Sequence, residues 1–246
     1  MGARKRLGVL VPATNSVAEP DFNRAVPEDV TVHSHRLWLQ NQALTDEAID
    51  RMNSDIEAGA QYLAQAKVDV VAVAATFNTF YRGPEWALEM ERNLSAAVNT
   101  PVVLTSPSVV FALRALGARR ISVATPYPDF ANEKLRVYFG SNGFQVLNVD
   151  GDPSICLAGT QEINEHDPRE IAKFAVTAAW PEADALFLPC TAWRTLEVAE
   201  ELEQRLGKPV VTSSQATIWR CLLTAGAEGQ ISGRGRLLAD MPALVV

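Results

Sequence analysis

The chain is poor in the residues that many function classes need. It has three cysteines and three histidines in 246 residues. Cys156, Cys190 and Cys221 are too few, and odd in number, for a disulfide framework, which points to free thiols in a reducing cytoplasm. His33 and His35 alternate on one strand and share a face. No third or fourth ligand accompanies them, so no metal site is expected. None of the three histidines lies near a strand tip that also offers a serine, which argues against a Ser-His-Asp triad. A basic stripe is also missing. With 22 Lys plus Arg against 29 Asp plus Glu, the net charge is −7, and nucleic acid is not an expected partner. No apolar run has the length of a membrane span. The basic start, Met1 to Arg6, lacks the apolar stretch and cleavage site of a signal peptide. The Gly-Arg-Gly-Arg run at Gly233 to Arg236 follows no strand and is not a dinucleotide fingerprint. Chemistry without metal or organic cofactor is the expectation.

What is present is a regular alternation. Val-rich runs of strand length occur at Leu7–Val11, Val30–His33, Val70–Ala74 and Val102–Leu104. A second set follows at Ile121–Ala124, Phe144–Val149, Ala185–Leu188 and Val210–Thr212. Short continuous apolar runs suit strands buried on both faces of a parallel sheet. Ile49, Met52, Ile56, Ala60 and Leu63 step by three or four, predicting one helix capped by Thr45. Ser106-Pro107 and Asp167-Pro168 each place a capping residue before a proline, and Gly117 and Gly207 mark helix ends.

The chain also resembles itself. Each half opens with a strand that has proline at its tip, Pro12 or Pro126. Each continues through a strand with a polar tip, Ala75-Thr76 or Cys190-Thr191, and closes on a strand ending in hydroxyl residues. The expected fold is α/β in two pseudo-symmetric halves. Each half is a mainly parallel four-stranded sheet flanked by helices, with a cleft between them. The halves are drawn at 1–104 plus 213–246 and at 105–212. Ligands in such sheets bind beyond the carboxyl ends of the strands, so the tips carry the candidate chemistry.

Cys190 leads those candidates. A thiol at a strand end, near the start of a helix through Leu196, Val198 and Leu202, can have a lowered pKa and can exchange a proton. Cys221 falls in a helical run and reads as core, and Cys156 sits in a loop. Thr14, Asn15 and Ser16 after Pro12 could hold a carboxylate or simply form a turn. Thr76 and Asn78 occupy the tip opposite Cys190. Tyr127 could donate to an oxyanion, as could Ser213 and Ser214 unless they only cap the next helix. Arg36 and Arg194 could pair with a carboxylate.

Three stretches carry a family resemblance: Thr79–Gly83, Leu113–Arg120 and Arg205–Ser214. With their order and spacing, the chain resembles the aspartate/glutamate racemase superfamily, in the branch of arylmalonate decarboxylases and maleate cis-trans isomerases. The resemblance implies two cysteines, one per half, in the racemases and isomerases. Here Cys190 matches the second, and Ala75 stands at the first. A single thiol opposite a small residue resembles the decarboxylases. That implies a malonate-type or other small dicarboxylic acid, with Cys190 protonating an enediolate. Thr76 and Tyr127 match the family's oxyanion donors. Pro12, Ala75, Phe77, Asn78 and Thr191 would line the substrate, with Phe77 where the decarboxylases carry a small hydroxyl donor. Asn15 and Asn164 look isomerase-like. A decarboxylase is therefore expected first, a maleate-type isomerase second, and a non-catalytic carboxylate-binding homologue third. The only partner implied is the small acid, with no membrane, and the sequence leaves room for a homo-oligomer.

Overall fold

The computed structural model describes residues 4–40, 45–227 and 229–245. Two four-stranded parallel sheets form its frame. The first joins β1 (Lys5–Pro12), β2 (Val30–Leu37), β3 (Val70–Val73) and β4 (Val102–Leu104) in the order β2-β1-β3-β4. The second joins β5 (Arg120–Thr125), β6 (Gln145–Gly151), β7 (Ala185–Leu188) and β8 (Val210–Thr212) in the order β6-β5-β7-β8. The two orders are the same. All eight expected strands are present. The edge strands β2 and β6 run two residues or more past their expected ends at His33 and Val149. In β2 the added residues alternate, with Ser34 and Arg36 exposed, which an apolar-run criterion misses.

The repeat extends to single hydrogen bonds. In the first half, Arg6 N–H donates to Asp69 Oδ2 at 2.7 Å and Asp69 N–H to Arg6 O at 2.8 Å. In the second, Arg120 N–H donates to Asp184 Oδ2 at 2.8 Å and Asp184 N–H to Arg120 O at 2.8 Å. The same aspartate thus fixes where the first and third strands of each half meet.

Helices cover both sheets. The first half carries α1 (Ala18–Arg24), α2 (Asp46–Asn53), α3 (Ile56–Gln65), α4 (Phe77–Phe80) and α5 (Pro84–Val98). After α6 (Thr105–Ala115) come α7 (Asp129–Ser141), α8 (Thr160–Asn164), α9 (Pro168–Ala178) and α10 (Ala199–Leu206). The chain closes with α11 (Ser213–Ala225) and α12 (Arg236–Asp240). Thr45 and Asp167 cap α2 and α9, accepting from Ala48 N–H and Arg169 N–H. The single helix expected over Ile49–Leu63 is two, α2 and α3. Ser54 and Asp55 divide them: Ser54 Oγ donates to Arg51 O, and the Arg51 guanidinium reaches both side chains, so local bonds replace the helical ladder. Ser106 does not cap. Helix α6 starts two residues before the expected Pro107, and Ser106 Oγ turns to Thr76 O at 3.0 Å. The Gly233–Arg236 run is a docking segment. Arg236 N–H reaches Glu203 Oε2 at 2.7 Å, and any Cβ on Gly235 would meet Gln215 at 2.5 Å.

Helices α6 and α11 pack on each other between the sheets. Helix α11 also lies on β1, β3 and β4 of the first sheet, and α6 touches both β4 and β8. A half-buried ion pair reinforces this joint: Arg220 of α11 donates to Glu91 of α5 at 2.7 Å, and Glu91 also accepts Leu104 N–H at 3.0 Å. Removing one partner strands the other charge. Glu91→Ala is therefore expected to lose about 3–5 kcal/mol of stability, read as a lower urea midpoint at unchanged slope.

Asp21 of α1 is buried, and burial pushes its carboxyl from 3.8 up to about 7, with Glu197 adding to the rise and Ser214 and Arg24 opposing it. The unfolded chain ionises near 3.8 while the folded chain still holds the proton. This group therefore lowers stability as pH rises from about 4 to about 7. Asp21→Asn removes that loss. Its melting temperature should match wild type near pH 4 and exceed it increasingly up to pH 7 in thermal scans. A gap that does not widen with pH contradicts the assignment.

Candidate functional site

The strand tips of both halves converge on one cavity. From the first half, Pro12, Asn15, Ala75, Thr76, Phe77 and Asn78 line it. From the second come Tyr127, Cys190 and Thr191. One further wall is α2, through Ala48, Ile49 and Met52. Another is the segment after β6, through Ala158, Thr160 and Ile163. These two walls are mainly apolar, and the strand tips supply the amides, hydroxyls and thiol. Among the described residues, no Lys, Arg, Asp or Glu lines the cavity.

Cys190 is held in an unusual backbone state. Its φ is +86°, which side chains other than glycine rarely adopt. Such a conformation costs about 1–3 kcal/mol and persists only where neighbours over-determine it. The neighbours are visible: Cys190 N–H donates to Ser213 Oγ at 3.2 Å, and Trp193 N–H to Cys190 O at 3.2 Å. Thr76 Oγ1 donates to the same Ser213 Oγ at 2.9 Å. One hydroxyl therefore ties the thiol's backbone to the opposite strand tip.

The thiol's electrostatics differ from the expectation. Burial pushes Cys190 above the usual thiol value, although the Ala192 N–H, the Tyr127 phenol and the Trp193 N–H oppose the rise. The helix that was to lower it starts too late. A 3-10 turn at Thr195–Glu197 and then α10 lie beyond the tip. The group rests as a neutral thiol, with donors aimed at the sulfur. Tyr127 is pushed well above 10, first by burial and then by Cys190, while Thr76 pulls it back. It too stays protonated.

Several polar candidates are committed to structure. Asn15 Oδ1 accepts Val17 and Ala18 N–H at 2.9 and 3.0 Å, and its Nδ2 donates to Thr191 Oγ1 at 3.1 Å. Thr191 Oγ1 in turn donates to Ala74 O at 2.8 Å, so this pair clasps the halves. Asn78 Nδ2 donates to Asn53 Oδ1 at 3.0 Å. Phe77 meets Phe80, Tyr81, Tyr127 and Phe130 ring to ring and forms an aromatic side of the cavity. Asn164 is not on the cavity. It faces an adjoining cleft with Ser16 and Asp21, and its Nδ2 donates to Thr14 O at 2.8 Å. Arg36 pairs with Glu19 and binds Asn15 O, and Arg194 pairs with Glu197, so neither reaches the cavity. Ser213 does not cap; its Oγ accepts from Thr76 Oγ1 and from Cys190 N–H. Thr212 caps α11, in a reciprocal pair with Gln215. Cys221 lies fully buried on α11, and Cys156 is half-buried. Among the described residues, no group of three or more His, Cys, Asp or Glu is placed to hold a metal, and no helix is long and apolar enough to cross a membrane.

A family model described as arylmalonate decarboxylase matches residues 7–238. The chain belongs to the arylmalonate decarboxylase family. It is 30% identical to the arylmalonate decarboxylase of Bordetella bronchiseptica over 237 residues, covering 95% of this chain and 96% of that one. It is 24% identical to the maleate isomerase of Geobacillus stearothermophilus, covering 97% and 99%. Among solved structures, a liganded arylmalonate decarboxylase variant superposes with a TM-score of 0.88 at 28% identity, covering 96% and 99%. In that variant one glycine is exchanged for cysteine and one cysteine for serine. The chain is thus an enzyme of the arylmalonate decarboxylase family, whose named members act on small carboxylic acids.

Sequence reasoning missed the wall from α2, because Ile49 and Met52 follow the same apolar periodicity as any core helix. It also missed the second role of Ser213, which no spacing signals. The strain at Cys190 gives a direct test. Glycine adopts φ of +86° without strain, so Cys190→Gly should be more stable than Cys190→Ala by about 1 kcal/mol in urea denaturation, despite its smaller side chain. The reverse order contradicts the strain.

Proposed function

We propose that this family member is a cofactor-independent carboxy-lyase for a malonate-type or similar small dicarboxylic acid, with Cys190 as proton donor. The observation that supports it most is the state of Cys190: one buried, neutral thiol on a cavity where Ala75 lines the other half. A neutral thiol can give a proton at once. A nucleophile or a base would need the thiolate, which burial disfavours.

The steps follow from the lining. One substrate carboxylate takes the polar tips, near Tyr127, Thr76 and the amides after Cys190. The other lies against the apolar walls, where its charge loses hydration and it departs as carbon dioxide, leaving its bonding electron pair on the α-carbon. The electrons delocalise into the remaining carboxylate as an enediolate. Hydrogen-bond donors are worth most to this ion in a cavity that excludes water. The Thr76 hydroxyl can rotate from Ser213 towards it, since hydroxyl hydrogens turn freely. Cys190 Sγ–H then protonates the α-carbon, and Ala192 N–H, Trp193 N–H and the Tyr127 phenol receive the thiolate. A single thiol delivers the proton to one face, so the product is one enantiomer. Water restores the thiol after product leaves.

Isomerisation of maleate is the second reading, favoured by the 24% identity to a maleate isomerase over 97% of this chain. Its weakness is that no second thiol lines the cavity. The discriminating assay is carbon dioxide release from substituted malonates in deuterated water, with maleate as the control. Release with deuterium on one face of the product is expected. Cys190→Ala should cut turnover by at least about 1,000-fold while circular dichroism stays unchanged. Full turnover in Cys190→Ala, or fumarate from maleate without gas, overturns the proposal.

A further inference from the structure

Behind the thiol lies an array that the reaction above does not use. The Trp193 side chain is fully buried, and its indole N–H donates to His166 Nδ1 at 3.0 Å. The two rings lie 27° from parallel with centroids 6.1 Å apart. An indole N–H can only donate, so Nδ1 must hold the lone pair, and the proton of neutral His166 is on Nε2. That nitrogen faces Asp152 Oδ2 at 4.0 Å, where the carboxylate favours this tautomer. Asp152 is itself fixed at the end of β6. Its N–H donates to Thr125 O at 2.8 Å, and its Oδ1 accepts from Ser154 N–H at 2.9 Å. The other charged groups near the imidazole are Glu162, Glu165 and Asp167, with Arg169 on Asp167 and Arg194 on Glu197.

Both ends of this array reach the cavity. The backbone N–H of Trp193 donates to Cys190 O at 3.2 Å and, beside the thiol, opposes the rise of its pKa. His166 follows directly on the segment that supplies Ala158, Thr160 and Ile163 to the cavity wall. We propose that His166 is a positioning residue for Cys190: through the indole of Trp193, its neutral Nε2–H form fixes the turn whose amides receive the thiolate. The inference rests on Cys190 being the proton donor only for its effect on turnover. Its effect on the thiol is separate.

The test reads the thiol directly. The rate of iodoacetamide alkylation at Cys190, located by peptide mass, is followed over about pH 6–11 in wild type, His166→Leu and His166→Asn. Asn can offer Oδ1 where the imidazole offers Nδ1. Leu offers nothing. In His166→Leu the alkylation midpoint should move to higher pH, and kcat should fall about five- to tenfold with KM little changed. His166→Asn should recover most of both. Unchanged alkylation and kcat in His166→Leu, or a His166→Asn variant as impaired as His166→Leu, overturns the proposal. Should His166→Leu fail to fold, Trp193→Phe still decides: without the indole N–H the alkylation midpoint should rise as in His166→Leu, and an unchanged midpoint overturns the link. Cys190→Ala separates the two ideas. If it still turns over while alkylation of wild-type Cys190 follows His166, the reaction fails and the positioning stands. If it is inactive and alkylation ignores His166, the positioning alone fails.

Discussion

The hydroxyl of Ser213 is where the two halves of this protein meet. It accepts from Thr76 of the first half and from the Cys190 backbone of the second. It sits in the first turn of α11, the helix that lies on the first sheet while following the last strand of the second. Any relative shift of the two sheets would break one of these bonds inside a buried region, where an unpaired polar group costs about 1–3 kcal/mol. The Asn15–Thr191–Ala74 clasp acts in the same direction. The cavity therefore sits between two half-molecules that are locked at the strand tips lining it.

That rigidity lets the chain hold a cysteine at positive φ. The strain is local and the bonds that oppose its release are short-range, so the sulfur's position is set by the fold. Burial then keeps the thiol protonated, and the same buried site aims N–H and O–H groups at the sulfur. These two effects suit a proton donor. Loss of the proton is costly until an acceptor of sufficient basicity is present, and the resulting anion is already solvated by fixed dipoles. An enediolate is such an acceptor.

The walls divide the work. Strand tips carry the polar groups, because parallel strands end together and leave side chains and amides facing one cleft. The apolar walls come from α2 and from the segment after β6, which are crossover elements rather than sheet. The sheets repeat their order and even their Asp69 and Asp184 clamps, whereas these walls differ between the halves. A shared frame with variable walls agrees with a family that includes both decarboxylases and isomerases.

Much of this was legible in the residues. Val-rich runs, proline tips and capping pairs determined the eight strands, their parallel pairing and the twofold plan, because strand burial and helix capping are written in short-range patterns. Cys190, Tyr127 and Thr76 could be singled out because strand ends are where parallel sheets bind ligands. What the sequence could not carry was the surroundings of each group. Asn164 turned out to brace Thr14, Arg36 and Arg194 were taken by Glu19 and Glu197, and the Cys190 thiol went up instead of down. Helix α2 became a cavity wall, and His166 met Trp193 across 27 residues of chain. Burial, hydrogen-bond commitment and pKa depend on neighbours distant in sequence, so tertiary packing alone decided them.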